Sequence, residues 1–226
     1  MTTEVPALDR RRRKARRTRE ALAAAAFDLV LDHGLRAVTV ERIAERADVA
    51  RRTFSRHFSS KESAVLDLVR ADGERINALL RARPPGEPPL AAYRAAVLAW
   101  LADDTRPPWH RRPRTPELLR LTLRESTLYA AFHHIRVEAQ RESARIVADR
   151  LGLNPDRDPR PSVLVNAAAG ALTAAQEMWI ADGGTGDLTE LVERAFAVLG
   201  GLAGPLPQQR TAGSTSTTSS EGAPDP

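Results

Sequence analysis

Apolar residues recur along most of this chain at intervals of three and four positions, the spacing that places them on one face of an α-helix. No long alternation of β-branched and aromatic residues appears, and alanine and leucine supply most of the apolar positions. The pattern therefore predicts an all-α protein. The predicted helices cover residues 16–33, 39–47, 51–58, 59–82, 90–101, 116–126, 128–151, 162–182 and 187–199.

Polar residues at the helix ends indicate where several of these helices begin. Thr39 is suited to cap the second helix, because its side-chain oxygen can accept a hydrogen bond from the first turn. Ser59 and Glu62 have Ser-x-x-Glu spacing and predict the start of a long fourth helix that joins two regions of the chain. Asp187 and Glu190 have the equivalent spacing and predict the start of the last helix.

Positive charge is concentrated near the amino terminus. Residues 1–62 carry 15 Lys and Arg against 9 Asp and Glu, a net charge of +6, whereas residues 63–226 carry 19 against 20. This asymmetry indicates a polyanionic partner for the first region only. Residues 1–15 are expected to form a flexible basic arm, which is either a solvated tail or a segment that reaches DNA phosphates or a minor groove.

Composition and motifs argue against several classes of site. The chain has 0 cysteines, which excludes disulfides and thiolate metal ligands and makes the cytoplasm the expected location. No apolar run reaches the ~18 residues that span a bilayer, so no membrane partner is expected. His133 and His134 diverge by about 100° on a helix and cannot share a metal ion. No cofactor, metal ligand or catalytic residue is predicted, because zinc-helix, nucleophile-elbow and phosphate-loop motifs are all missing.

Residues 39–58 form two short helices separated by a turn, as in helix-turn-helix DNA-binding proteins. Phe54 and Phe58 lie on one face of the second of these helices and should be buried. Arg52, near the start of that helix and on the opposite face, is the first candidate to bind a guanine edge through two hydrogen bonds. The alternative is an ordinary solvated face. The predicted DNA-binding residues are Thr39, Arg51, Arg52, Thr53, Ser55, Arg56, His57 and Lys61.

The segment "TVERIAERADVARRTFSRHFSSKE", residues 39–62, resembles the DNA-binding domain of the TetR family of transcriptional regulators, and the resemblance extends over residues 18–69. Two positions depart from the family pattern. Asp48 stands where the family often has glycine, and Ala50 stands where it often has serine or threonine. Aspartate tolerates a left-handed backbone, whereas alanine removes a helix cap worth ~1 kcal/mol. The resemblance implies DNA contact at Thr39, Arg52, Thr53, Ser55, His57 and Lys61.

The remainder of the chain is all-helical and nearly neutral, which fits a ligand-binding and dimerisation domain. Its helix order, with "TPELLRLTLRES" followed by a long helix and the ending "MWIADGGTGDLTELVERAFAVL", bears a looser resemblance to an actinobacterial-type TetR subgroup described as binding acyl-CoA-like ligands. Binding pockets are mostly apolar with a few polar groups, so the scarce aromatic residues of this region are the first candidates, although any one residue of this kind is more often plain core. The predicted ligand-binding residues are Tyr93, Trp100, Leu123, Tyr129, Phe132, His133, Gln176 and Trp179, together with Val97 and Leu119.

The last two helices are the expected homodimer interface. Residues 165–176 place alanine and glycine on every side of a helix, which lets a second helix approach closely. With the apolar stripe of the last helix they could form a four-helix contact across a two-fold axis, or could complete a monomeric core. The candidate interface residues are Leu172, Ala175, Leu191, Ala195 and Phe196.

These expectations divide the chain into a basic arm (1–15), a helix-turn-helix domain (16–62), a ligand-binding and dimerisation domain (63–203) and a disordered tail (204–226). The favoured function is a ligand-responsive regulator, expected to be a repressor that leaves its double-stranded operator when a small apolar or acyl-type effector binds. A DNA-binding protein indifferent to sequence is the alternative. An enzyme is the weakest hypothesis.

Overall fold

The computed structural model describes residues 5–202, and every regular element in this range is helical. Two 3₁₀ turns, Leu35–Ala37 and Trp109–Arg111, interrupt the series of helices. The ten α-helices are α1 (Val5–His33), α2 (Val40–Arg46), α3 (Arg51–His57), α4 (Lys61–Val65), α5 (Asp67–Arg81), α6 (Pro89–Leu101), α7 (Thr115–Arg124), α8 (Ser126–Leu151), α9 (Arg160–Ala181) and α10 (Leu188–Leu202). The prediction of an all-α protein is therefore confirmed.

The first helix is longer than its apolar stripe indicated. It begins at Val5, so the part of the expected flexible arm from residue 5 to residue 15 is helical. Arginine and alanine are good helix formers, and an ion pair one turn apart, Arg13 to Asp9 at 2.9 Å, supports the exposed segment. Apolar periodicity does not detect a helical segment whose side chains are exposed, as those of residues 9–17 are. The expected tail, residues 204–226, lies outside the described residues.

The expected long fourth helix is two helices. Its cap is Ser60, which exchanges hydrogen bonds with Ser63, and not Ser59. The helix stops at Leu66, whose φ of −91° and ψ of 11° separate α4 from α5. At this break Leu66 is fully buried, and Asp67 accepts two hydrogen bonds from Arg19 of α1. A tertiary contact with α1 therefore accompanies the interruption of the helix at Leu66, which no local pattern indicated.

Two hydrophobic cores lie along the chain. The first packs the four helices α1, α2, α3 and α4 together and also includes Leu118 of α7 and Leu128 of α8. The second fills the space between α5, α6, α8, α9 and α10, with Trp100 at its centre and Tyr93 stacked on Phe196 at 6.4 Å between ring centroids. Because α7 and α8 contribute to the first core, the two regions share a packed boundary. No helix between residues 5 and 202 is both long and apolar enough to cross a membrane.

Candidate DNA-binding surface and adjoining cavity

Helix α3 is anchored by its two phenylalanines. Phe54 and Phe58 are almost completely buried, and their ring centroids lie 5.6 Å apart. The guanidinium group of Arg19 lies 4.3 Å from the centre of the Phe58 ring and donates a 2.7 Å hydrogen bond to the backbone oxygen of His57. Arg19 also binds Asp67 at the start of α5. The end of α3 is thus fixed to both α1 and α5, which holds its outer face in one orientation.

The turn before α3 follows the expectations from its two unusual residues. Asp48 has a φ of 54°, in the left-handed region, and the next amide, that of Val49, donates to the oxygen of Ala44 at 2.9 Å. Ala50 is the N-terminal cap of α3 and supplies no side-chain hydrogen bond. The cap predicted for α2 is confirmed, since the hydroxyl oxygen of Thr39 accepts from the amide of Arg42 at 3.2 Å.

The face of α3 opposite the two phenylalanines is open to solvent. The side chains of Arg52, Ser55 and Arg56 are exposed, and Thr53 is half-buried beside them. Arg51 is also exposed but forms a 2.7 Å ion pair with Glu41 of α2. That pair holds Arg51 at the side of the helix. Arg52 and Arg56 extend from the outer face of α3, and the major groove of DNA is wide enough to admit an α-helix.

Lys61 has structural contacts that its sequence position did not reveal. Its Nζ donates to the backbone oxygens of Leu35 at 2.7 Å and Val38 at 2.9 Å, so two of its three hydrogens close the loop between α1 and α2. Only the third hydrogen of the Lys61 ammonium group remains available to bind a DNA phosphate. The side chain therefore ties α4 to the first turn of the helix-turn-helix region, in addition to any role on DNA.

The surroundings of His57 disfavour its charged form. Partial burial lowers the pKa of His57 below its usual 6.5, and the positive charges of Arg19 and Arg56 lower it further. In its neutral form the imidazole can donate one hydrogen bond to a phosphate and adds no positive charge to the surface. The permanent cations of α3 are its three arginines.

A cavity of about 470 Å³ lies between α5, α7, α8 and α9, a volume suited to a small organic ligand. Trp100 and Tyr93 form its deep end and are almost completely buried, whereas Leu123 and Tyr129 lie at its mouth with exposed fractions of 67% and 45%. The predicted residues that line it are Tyr93, Trp100, Leu119, Leu123, Tyr129, Phe132, His133 and Gln176.

Two predicted lining residues lie elsewhere. Trp179 is not part of the cavity wall, because its indole nitrogen donates to the oxygen of Gly186 at 2.8 Å and its ring packs edge-on against Trp109 at 6.0 Å. Val97 is fully buried in the core behind the cavity. Trp109 was missed as an aromatic lining residue because it sits in an irregular, proline-rich link.

Besides His133 and Gln176, the cavity wall carries polar groups that were not predicted from the sequence. Asp72, Arg136, Gln140 and Thr173 all line it. Burial raises the pKa of Asp72, while Arg112 and the amide of Trp109 oppose that rise. Arg136 is one of many charged residues on α8, and periodicity cannot distinguish it from the exposed ones. Its position in the cavity wall is seen only when α8 is packed against α5 and α9.

An apolar surface remains uncovered on α9 and α10. Val163, Met178 and Val198 have exposed fractions of 64%, 55% and 65%, and a shallow groove runs between the two helices. Of the expected interface residues, Leu191 and Ala195 line this groove and Ala175 lies at its floor. The prediction that Leu172 and Phe196 lie at the interface was wrong. They belong to the core of the subunit, with exposed fractions of 9% and 4%.

Comparisons with known families agree with this organisation. Residues 22–68 match the family described as bacterial regulatory proteins of the tetR family. Residues 87–203, just over half of the chain, match the family described as the MftR C-terminal domain. The HTH-type transcriptional regulator TcmR of Streptomyces glaucescens is 39% identical over 166 residues, which cover 69% of this chain and 70% of TcmR.

Two solved structures share the fold at low sequence identity. The fatty acid degradation regulator FadR from Bacillus halodurans aligns with a TM-score of 0.51 and 20% identity over 83% of this chain and 96% of its own. SmeT, the repressor of the Stenotrophomonas maltophilia multidrug efflux pump SmeDEF, aligns with a TM-score of 0.51 and 18% identity over 80% and 87% of the two chains.

One family accounts for the order of the helices, the exposed arginines of α3 and the matches over both regions. Members of this family bind DNA through a helix-turn-helix domain and are not enzymes. The chain belongs to the TetR family of transcriptional regulators, with a C-terminal domain of the MftR type.

Proposed function

We propose that this regulator is a homodimer that binds a double-stranded operator through α3 and is released from it when a small apolar or acyl-type effector occupies the cavity. It acts in this proposal as a repressor. The observation that carries the proposal is a shared residue. Leu118 of α7 lines the cavity and is also fully buried in the core that holds α1 to α4 together.

This shared packing supplies a physical route from the cavity to the DNA-binding surface. Leu68 and Val69 of α5 also line the cavity, and they lie one to two residues beyond Asp67, which binds Arg19 beneath α3. A ligand that separates α5 from α7 and α8 therefore moves residues in contact with the helix-turn-helix domain. Such a ligand changes operator affinity only to the extent that it prefers one of the two arrangements.

The exposed groove between α9 and α10 supports the homodimer. Buried against a second copy, the apolar side chains of Val163, Met178 and Val198 would leave water, and the small residues of α9 allow close approach. The two copies of α3 would then enter successive major grooves about 34–36 Å apart, or a multiple of that spacing. The operator is accordingly expected to be a near-palindrome.

The composition of the cavity wall supports an elongated apolar effector. Apolar side chains, among them leucine, isoleucine, tryptophan and phenylalanine, supply most of the surface of the wall, and acyl chains or aromatic ring systems fit such an environment. Two proteins of the same fold are consistent with this class. SmeT has been crystallised with triclosan, and FadR is described as a regulator of fatty acid degradation.

Selection of bound duplexes from a random DNA pool tests the proposal and identifies the operator in the same experiment. The expected result is an enriched near-palindrome that binds at least ~1000-fold more tightly than a scrambled duplex at physiological salt. Lauroyl-CoA, dodecanoate and triclosan would then be titrated into the complex to find one that releases the DNA. Steep salt dependence without an enriched sequence would support the alternative of a sequence-indifferent DNA-binding protein.

A further inference from the structure

Arg136 of α8 occupies an unusual position in the cavity wall. The cavity wall as a whole is largely apolar, and the guanidinium carbon of Arg136 lies 5.5 Å from the centre of the Phe132 ring. One of its nitrogens donates to the hydroxyl oxygen of Thr173 on α9. The Thr173 hydroxyl in turn donates to the backbone oxygen of Ala169 at 2.7 Å, so its oxygen faces Arg136 as an acceptor. The guanidinium group is thus oriented and half-buried between α8 and α9.

No carboxylate neutralises this cation within the described residues. Arg136 takes part in none of the ion pairs between residues 9 and 201, in which most other half-buried arginines of the C-terminal region find an Asp or Glu within 4.0 Å. Asp72, the buried acid of the same wall, already pairs with Arg75 at 3.2 Å and Arg112 at 3.7 Å and accepts from the amide of Trp109 at 2.8 Å. It is therefore committed to other partners.

Glu177 is the remaining acid of the cavity wall. It lies one turn after Thr173 and is exposed to solvent, and its charge acts on Arg136 from beyond ion-pair distance. Burial lowers the pKa of Arg136 below its usual 12.5, and the charge of Glu177 opposes that effect only in part. An arginine remains charged under these conditions because its pKa starts so high. The free protein thus carries a desolvated cation that lacks a close counter-ion.

We propose that Arg136 is the binding site for an acidic group of the effector, a carboxylate, sulfonate, phosphate or ionised phenol, whose apolar body fills the cavity between Phe132 and Trp100. This inference rests on the proposed effector cavity and narrows the ligand class to apolar anions. A planar guanidinium group can donate two parallel hydrogen bonds to such an acid. The pairing is strengthened by the apolar surroundings, where the dielectric constant is lower than in water.

Two fluorescent probes of apolar cavities separate the contribution of the anion from that of the apolar body. The probe 1-anilinonaphthalene-8-sulfonate carries one sulfonate, and N-phenyl-1-naphthylamine has the same ring system without it. Both would be titrated into the full-length protein and into three variants, Arg136→Gln, Arg136→Lys and Arg141→Gln. Arg141 is the matched control, because it is an exposed arginine of α8 outside the cavity.

The wild-type protein and Arg141→Gln are expected to bind the sulfonate at least ~10-fold more tightly than the neutral probe, the range for a hydrogen bond to a charged group. Arg136→Gln is expected to lose this preference and to keep its affinity for the neutral probe, and Arg136→Lys to retain part of the preference. Equal affinity for the two probes in the wild-type protein would overturn the proposal, as would an unchanged preference in Arg136→Gln.

Loss of both probes in Arg136→Gln would also count against the proposal, because it would mean that Arg136 holds the cavity together and does not select the ligand. The probe titrations use no DNA. A failure to find an operator would therefore refute the proposed function and leave this result standing, and a failure here would leave operator binding untouched.

Discussion

Ala50 begins α3 without offering a side-chain oxygen to the free amides of the first helical turn. Ala50→Ser should supply that acceptor and raise the free energy of unfolding by ~1 kcal/mol. Urea denaturation of the two proteins would measure the difference. Ala24→Ser, at an exposed site within α1, is the control, since serine there provides no cap and is expected to be neutral or slightly destabilising. Equal stability of the two variants would contradict the role assigned to position 50.

The turn at Asp48 and the cap at Thr39 were predictable because their chemistry is local, although the cap expected at Ser59 is formed by its neighbour Ser60. The left-handed φ of Asp48 and the cap of Thr39 follow from residues within three positions of each other. Lys61 and Arg136 were not predictable in the same way. Lys61 binds carbonyls 23 and 26 positions earlier, and Arg136 binds a threonine 37 positions later. Side chains whose partners are distant in the sequence reveal their roles only after the helices pack.

One carboxylate, that of Asp67, links α5 to Arg19, the arginine of α1 that contacts the end of α3. Asp67 is 7% exposed and accepts from Arg19 at 2.7 Å and 3.0 Å and from Arg70 at 2.7 Å. Asp67→Ala should reduce the free energy of unfolding by roughly 2–3 kcal/mol, because two partly buried guanidinium groups lose their acceptor. It should also weaken operator binding, since α3 is held through Arg19.

The stability change would be measured by urea denaturation and the DNA effect by titration of the selected operator. Asp28→Ala removes an exposed carboxylate of α1 and is expected to change neither quantity appreciably. A variant at position 67 that is destabilised but binds the operator normally would show that this contact does not orient α3.

At the scale of the helices, apolar periodicity was sufficient to predict which segments are helical and in what order they follow. The predicted bounds of α6 to α10 lie close to those observed. The exceptions have physical causes. The exposed amino-terminal part of α1 carries no apolar stripe, and the break at Leu66 is set by contacts with a helix nearly fifty residues earlier.

The whole molecule is proposed to act as a dimer through the groove between α9 and α10. Ala174→Arg places a charged, bulky side chain on the groove-facing surface of α9 and should produce folded monomers. Because one α3 alone contacts only half of a palindrome, operator affinity should fall by far more than tenfold. Sedimentation equilibrium would measure the oligomeric state.

Ala130→Arg is the matched control for this prediction. Ala130 is an exposed residue of α8 outside both the groove and the cavity wall, and the same substitution there should leave a dimer. A dimer that persists in Ala174→Arg would place the interface elsewhere on the molecule.

The affinity of Arg52→Ala for the selected operator and for a scrambled duplex, both at physiological salt, tests most directly whether α3 recognises a DNA sequence. Loss of a base contact should weaken operator binding by about 1–3 kcal/mol and relax selectivity at one base position, with little effect on the scrambled duplex. Arg120→Ala, at an exposed arginine of α7, should bind both duplexes as the wild-type protein does. An equal loss on the two duplexes would contradict sequence recognition by Arg52 and leave it a phosphate contact.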